Sequence, residues 1–202
     1  FAVEIELSRQ QTHTGPAVGL DVGLEKFAAL SDGSIIENPR HLRKTEERLK
    51  RAQRELSRKE KGSRNRERVR RKLAKLHAKV RNQRMDFLHK QSRKLVNTYS
   101  LIAVEELNIK GMVKNHHLAK SISDAGWGEF ISMLEYKAGE AGTKLVKVNP
   151  SGTSQKCSRC GMTVPKELSE RVHCCPYCGL TLDRDVNAAR NILKRALALE
   201  AA

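Results

Sequence analysis

The sequence predicts a mixed α/β fold, a sheet flanked by helices, with a long basic helical hairpin and a four-cysteine module set into it. Three observations carry that expectation. Strand-like apolar runs come first and then alternate with helical periodicity, the succession expected of a mixed sheet covered by helices. Residues 40–94 hold 23 Lys/Arg against 6 Asp/Glu, while the remainder holds 16 against 17, so the net charge of +16 sits in one block. Finally, Cys157-x-x-Cys160 and Cys175-x-x-Cys178 lie fourteen residues apart, each followed directly by glycine.

The 202 residues suffice for one hydrophobic core and a small stapled unit. Phe1–Leu7 alternates like a strand without an initiator Met, so residues 1–10 read as the end of a preceding β domain and the chain as a fragment. Ala17–Val22 is a short apolar run ending in Asp and Gly. Lys26–Leu30, the turn at Asp32–Gly33 and Ser34–Ile36 read as a hairpin, giving three antiparallel strands. From Arg40 to about Tyr99 the period becomes helical. Leu42, Leu49, Ala52 and Leu56 form one stripe and Val69, Leu73, Leu76, Val80 and Phe87 another, with a break at Gly62–Ser63. Two antiparallel helices with a narrow apolar seam follow, their outer faces left to Arg and Lys. Leu101–Val104 is the kind of run buried on both sheet faces and ends at Glu105–Glu106. A helix is expected over Ser123–Gly139, capped by Ser123 and burying Trp127, Phe130, Ile131 and Leu134. Lys144–Val148 returns to strand, and Asp185–Leu199 closes the chain as a helix with Asp183 and Asp185 near its start.

No stretch approaches the roughly 18 apolar residues needed to span a bilayer, and no basic-then-apolar start suggests secretion. The sequence therefore predicts a soluble, cytoplasmic protein, nucleoid-associated in a prokaryote. A one-signed basic block is the footprint of phosphate binding, since neutralising phosphates releases condensed counterions. The plain alternative is a solvated helical surface or a basic tail. With aromatics at only 4% there is no evident base-stacking platform, and Trp127 reads as core.

Each Cys-x-x-Cys-Gly forms a tight knuckle that aims two thiolates at one ion, so four sulfurs complete a closed tetrahedral zinc site. A closed site has no position for substrate, which makes this zinc structural. Disulfides are disfavoured in a basic intracellular chain. Cys174 has the wrong gap for the second knuckle and reads as a spare, and four thiols leave His173 no vacancy.

Hydrolysing a phosphodiester with two divalent ions needs hard oxygen ligands where buried strands end. Asp21 and Glu105 both end apolar strands. Singly, each has a dull explanation, Asp21 as a turn residue before Gly23 and Glu105 as an edge charge.

Together the segments GLDVG, IAVEELNIKGM, TSQKCSRCG, CPYCG and DRDVNAARNI, with KGSRNR in the arm and SDAGWGEF after it, form an ordered pattern over essentially the whole chain. The chain resembles the C-terminal nuclease region of the TnpB family, transposon-encoded RNA-guided DNA endonucleases related to type V CRISPR effectors. That resemblance implies an RNase H-like (RuvC) nuclease domain over 11–152 and 181–202, with the basic arm at 40–99 and a zinc ribbon inserted at 153–180. It implies Asp21, Glu105 and Asp185 as catalytic acids holding Mg²⁺, two ions roughly 4 Å apart. Asp183 is the second choice for the third acid, and Glu106 a variable polar position. It further implies a guide RNA and a target DNA gripped along their backbones by the arm, with Ser154 and Gln155 as DNA contacts. N-terminal recognition regions of full-length relatives are missing here, so the chain alone is expected to cut single strands weakly and without guidance. The alternatives are a cleavage-inactive guide-binding DNA-binding protein, an unguided RNase H-like resolvase, and a zinc-ribbon DNA binder.

Overall fold

The structure is a computed structural model describing residues 14–167 and 169–201, so the strand expected at Phe1–Leu7 lies outside the described residues. Strands β1 (Ala17–Val22), β2 (Lys26–Leu30) and β3 (Ile35–Glu37) form the expected antiparallel run. Strands β4 (Leu101–Glu105) and β5 (Lys144–Val148) then add in parallel on the other side of β1, giving the order β3-β2-β1-β4-β5. The three inner strands, β2, β1 and β4, are predominantly apolar and buried.

Strand parity divides the core. Val18 and Leu20 of β1 and Ile102 and Val104 of β4 point to one face, where they meet Leu88, Leu95, Val96, Phe130 and Leu134. Each such fully buried side chain stabilises the fold by about 1.5–3 kcal/mol. On the opposite face Ala103, Val146 and Val148 meet Ile192 and Ala196 of the closing helix α6. Since successive side chains alternate, Gly19 and Asp21 of β1 and Glu105 of β4 belong to this second face.

The arm is two helices, α1 (His41–Ser57) and α2 (Arg64–Thr98), broken at Gly62–Ser63 as expected; Ser63 accepts the Arg66 backbone N–H as the α2 cap. Leu49, Ala52, Leu73 and Val80 close its seam, flanked by Leu42, Leu56 and Leu76. Phe87 departs from the expectation. It leaves the seam and stacks edge-on against Phe27 at 4.9 Å, because the C-terminal part of α2 has passed from the arm onto the sheet. The free arm is therefore shorter than residues 40–99, with Leu88, Leu95 and Val96 serving the main core.

After β4 come the short helices α3 (Ile109–Met112) and α4 (Ala119–Ala125), then α5 (Trp127–Ala141). The single helix expected over Ser123–Gly139 is thus two, because Gly126 turns left-handed at φ 70° and ends α4 with its N–H on the Ile122 carbonyl. Ser123 lies inside α4 and caps nothing. Its neighbour Asp124 instead accepts the Leu42 N–H at 3.2 Å, capping α1, whose own N-cap residue Arg40 supplies no side-chain acceptor. Trp127 is core, as its apolar spacing indicated.

The short strand β6 (Val172–Cys174), inside the cysteine segment, pairs antiparallel with β7 (Thr181–Asp183), which directly follows that segment. The last helix, α6 (Arg184–Glu200), begins directly after β7. It crosses β1 in very close contact, where a Cβ on Gly19 would lie 2.0 Å from the Ala189 carbonyl oxygen. Ala188, Ala189 and Ala196 are small for the same reason: helix and sheet approach at backbone distance. Among the described residues no helix is long and apolar enough to cross a membrane.

Candidate functional site

Parity and register place two of the predicted acids, Asp21 and Glu105, side by side. Leu20 pairs with Val104 in the parallel β1–β4 ladder, so Asp21 and Glu105 occupy the next step of adjacent strands, on the face covered by α6. Asp185 stands in the first turn of α6, which Gly19 admits onto β1. Asp21 accordingly feels the charges of both other acids. Burial, and then the charges of Glu105 and Asp185, push its pKa well above the usual carboxylate range, while Arg184 opposes them.

Glu105 is raised as well, chiefly by burial, with a hydrogen bond from Thr153 and the nearby Arg195 charge pulling the other way. Thr153 Oγ1 donates to Glu105 Oε1 at 2.5 Å. Glu106 is exposed, and its N–H bonds the Val148 carbonyl. The geometry separates Asp183 from the other acids by role. Its Oδ1 accepts the N–H groups of Asp185 and Val186 as the α6 cap, and its Oδ2 meets Lys26 Nζ at 2.5 Å. Burial alone would raise Asp183, but Lys26 and the two backbone donors outweigh it and leave it low. Asp183 is thus already neutralised, whereas Asp21 stands among like charges. Arg184 Nε lies 3.4 Å from Asp185 Oδ1 and Arg195 lies near Glu105; hard carboxylate oxygens at strand ends are nevertheless a donor type suited to divalent magnesium.

The four predicted cysteines converge. Sγ atoms of Cys157, Cys160, Cys175 and Cys178 all lie within 4.8 Å of one another. The pairs Cys157–Cys178 and Cys160–Cys175 are both 3.6 Å apart, close to the roughly 3.8 Å edge of a tetrahedron with 2.3 Å metal–sulfur bonds. The positive φ of Gly161 and Gly179 closes each knuckle, through Gly161 N–H to Cys157 O and Gly179 N–H to Cys175 O. Burial tends to raise the Cys157 thiol, yet N–H groups of Cys160 and Arg159 and the His173 ring bring it down to about 5, favouring thiolate. Cys174 is exposed and outside the cluster, and His173 is fully buried beside it without entering the ligand set.

The arm presents a groove of about 1290 Å³ between α1 and α2, lined by Arg48, Arg51, Arg64, Arg68, Lys75 and Lys79 among others. Ser154 and Gln155 are exposed at the base of the cysteine segment.

Sequence reasoning passed over several residues that shape the site. Thr153 and Arg195 around Glu105, and Lys26 beside Asp183, belong to no ligand pattern. Asn187 and Asn191 were detectable in principle, since two buried amides one helical turn apart need partners.

A family model described as a probable transposase, OrfB_IS605, matches residues 1–116, and one described as Cas12f1-like, TNB domain, matches residues 127–192. Over 190 residues the chain is 46% identical to a protein of Streptomyces pristinaespiralis named "Putative RNA-guided DNA endonuclease", covering 93% of this chain and 47% of that one. InsQ of Escherichia coli K12, named in the same way, is 36% identical over 206 residues, covering 94% and 51%. The chain spans about half the length of these relatives. Among solved structures, a Cas12f1–sgRNA–target DNA complex is similar with a TM-score of 0.61 at 19% identity, over 88% of this chain and 49% of that one. The mini-RNA-guided endonuclease Cas_phi3 is similar with a TM-score of 0.52 at 12% identity, over 91% and 45%. At these identities the likeness is one of fold.

Proposed function

This chain belongs to the OrfB_IS605 family of probable transposases, the TnpB family, and on that premise we propose that it is the nuclease part of a transposon-associated, RNA-guided DNA endonuclease. Asp21, Glu105 and Asp185 are its catalytic acids, binding Mg²⁺. The observation that carries this is the burial of Asp21 near the end of β1 beside the charges of Glu105 and Asp185, which together raise its pKa. A folded protein keeps such a cluster at a cost, and a cation is what compensates it.

In this mechanism Asp21, near the end of β1, would hold Mg²⁺ together with Glu105 and Asp185. Glu105 is oriented by the Thr153 hydroxyl and Asp185 by the start of α6. Mg²⁺ bound there supplies charge stabilisation at phosphorus and an activated water for displacement. Asp183 fixes the α6 start and so the direction of Asp185. The partial opening of the Asp21 and Glu105 side chains to solvent leaves a face for the scissile phosphate.

The four thiols hold a structural Zn²⁺ in a ribbon inserted at residues 153–180. The RNase H-like (RuvC) domain comprises the flanking segments 11–152 and 181–202. Guide RNA and target DNA lie along the basic groove, whose Arg and Lys side chains far outnumber its one acid, Glu67, and grip backbone rather than bases. A guide-binding protein without cleavage would have no use for the strained carboxylate nest, which is why the nuclease is preferred.

The test is cleavage of labelled target DNA by the full-length protein with its guide RNA and Mg²⁺. Cutting that requires a matching guide, stops with EDTA and stops with Asp21→Ala while binding persists supports the proposal. Guide-independent cutting indicates a resolvase, and an uncut but bound target indicates a binder.

A further inference from the structure

One face of α6 grips the whole loop that leads from the sheet into the first cysteine knuckle. Asn187 Nδ2 donates to the Lys156 carbonyl at 2.8 Å, and Asn187 Oδ1 accepts the Ser158 N–H at 2.9 Å, inside the Cys157–Cys160 turn. One turn on, Asn191 Nδ2 donates to the carbonyls of Lys156 at 2.7 Å and Thr153 at 2.8 Å. A turn further, Arg195 donates to the Asn149 and Ser151 carbonyls at 2.5 and 2.6 Å. Lys194 adds a bond to the Ser158 carbonyl. Asn187 is fully buried and Asn191 nearly so, and every polar atom of the Asn187 amide is accounted for. Amides buried to this degree are costly unless satisfied, so they specify one register of loop on helix.

In the middle of the gripped loop stands Thr153, 1% exposed, with its hydroxyl on Glu105. Its alternative acceptor, the Pro150 carbonyl, lies at 2.9 Å. The hydroxyl has one proton to give, and the shorter, charge-assisted contact to the carboxylate takes it. The segment that closes around the cysteine metal and the segment that aims Glu105 are therefore one loop, held to the helix that carries Asp185.

From this geometry we propose that Thr153 is a positioning residue for Glu105, and that the Asn187–Asn191 clasp makes filling of the cysteine cluster set the affinity of the acid nest for divalent ions. The inference rests on the nuclease reading of the acids. It adds a dependence of the magnesium site on the zinc site, transmitted through residues that touch neither ion.

Mn²⁺ binding to the full chain, freed of nucleic acid and measured by electron paramagnetic resonance, tests this. Thr153→Val keeps the shape and removes the hydroxyl; it weakens Mn²⁺ binding about tenfold, as loss of a ligand's outer partner usually does, while zinc content stays at the wild-type level. Thr153→Ser restores the affinity to within about threefold of wild type, as retention of the hydroxyl requires. Cys160→Ser, which loses zinc, weakens Mn²⁺ binding to a similar degree, and the double variant is no weaker than either single one because both act through the same contact. Circular dichroism confirms that each variant compared is folded. Wild-type Mn²⁺ affinity in Thr153→Val, or in the folded zinc-free protein, overturns the inference, as does strict additivity in the cycle. Asp21→Asn separates the two levels: Mn²⁺ binding that ignores it overturns the nuclease reading and this inference together, whereas binding that needs Asp21 but ignores Thr153→Val overturns the inference alone.

Discussion

Gly19 of β1 lies against the Ala189 carbonyl of α6 so closely that a methyl group in place of its hydrogen would sit 2.0 Å from the oxygen and 2.8 Å from the Leu193 nitrogen. Both obstacles are helix backbone and cannot swing aside. The contact lies two residues before Asp21, so the distance from Asp21 to the α6 acid is set here. Gly19→Ala is expected to destabilise the fold by on the order of 3 kcal/mol, about 6–12 °C in melting temperature for a chain of this size. Thermal unfolding followed by circular dichroism checks it. Any variant that stays folded should also lose divalent-ion binding, since α6 has been lifted away from β1.

The raised pKa of Asp21 makes a claim about stability with a definite sign. The folded chain holds a proton on this group more tightly than the unfolded chain does, so folding is penalised once pH exceeds the unfolded value of about 3.9 and the penalty is complete above the folded pKa. Metal-free Asp21→Asn is therefore expected to be more stable than wild type at neutral pH by on the order of 1 kcal/mol, about 2–4 °C. The advantage shrinks as pH falls toward 4. Differential scanning calorimetry in EDTA, with and without added Mg²⁺, measures both limbs; the ion should stabilise wild type and leave the variant unmoved. A variant no more stable than wild type at pH 7 would show that ionised Asp21 is not penalised by its burial and its acidic neighbours.

Asp183 and Asp185 separate by role. Asp183→Ala removes the helix cap and the partly buried Lys26 pair, costing about 1 kcal/mol, with Mn²⁺ affinity kept within about threefold. Asp185→Asn leaves the cap and melting temperature nearly unchanged and lowers Mn²⁺ affinity at least tenfold, on the scale of losing an ion's ligand-site support. The reverse pattern in titrations of the two purified variants would move the third ligand to Asp183.

Zinc content by plasma mass spectrometry distinguishes the adjacent thiols. Cys174→Ser should retain the metal and Cys175→Ser should lose it, because only Cys175 lies within the cluster.

Replacing Arg68, Lys75 and Lys79 of the arm groove with Ala should weaken binding to guide RNA and to unrelated RNA alike. The slope of log affinity against log salt should fall by about 2–3, the signature of lost phosphate contacts. A loss confined to one sequence would contradict a backbone-gripping role.

Much of this was legible in the sequence because the signals were local. The β1 and β4 runs ended in acids at Asp21 and Glu105, the cysteine spacing defined the cluster, and Gly62–Ser63 marked the turn of the arm. What escaped depended on packing between distant segments. Phe87 continues the seam stripe of α2, and nothing in its spacing shows that the helix has by then reached the sheet and Phe27. Gly126 broke the expected helix because its positive φ is a backbone property that apolar periodicity does not register. Asp124 capping α1 and Thr153 holding Glu105 are partnerships across 82 and 48 residues, visible only once the chain is folded.

Anomalous scattering from crystals soaked in Mn²⁺ at neutral pH locates the ions themselves. The expected result is Mn²⁺ coordinated by Asp21 together with Glu105 and Asp185, with paired peaks roughly 4 Å apart where both positions fill. Ordered Asp21, Glu105 and Asp185 side chains with no anomalous peak between them, in crystals that bind Mn²⁺ elsewhere, would contradict the assignment of these acids as the catalytic metal site.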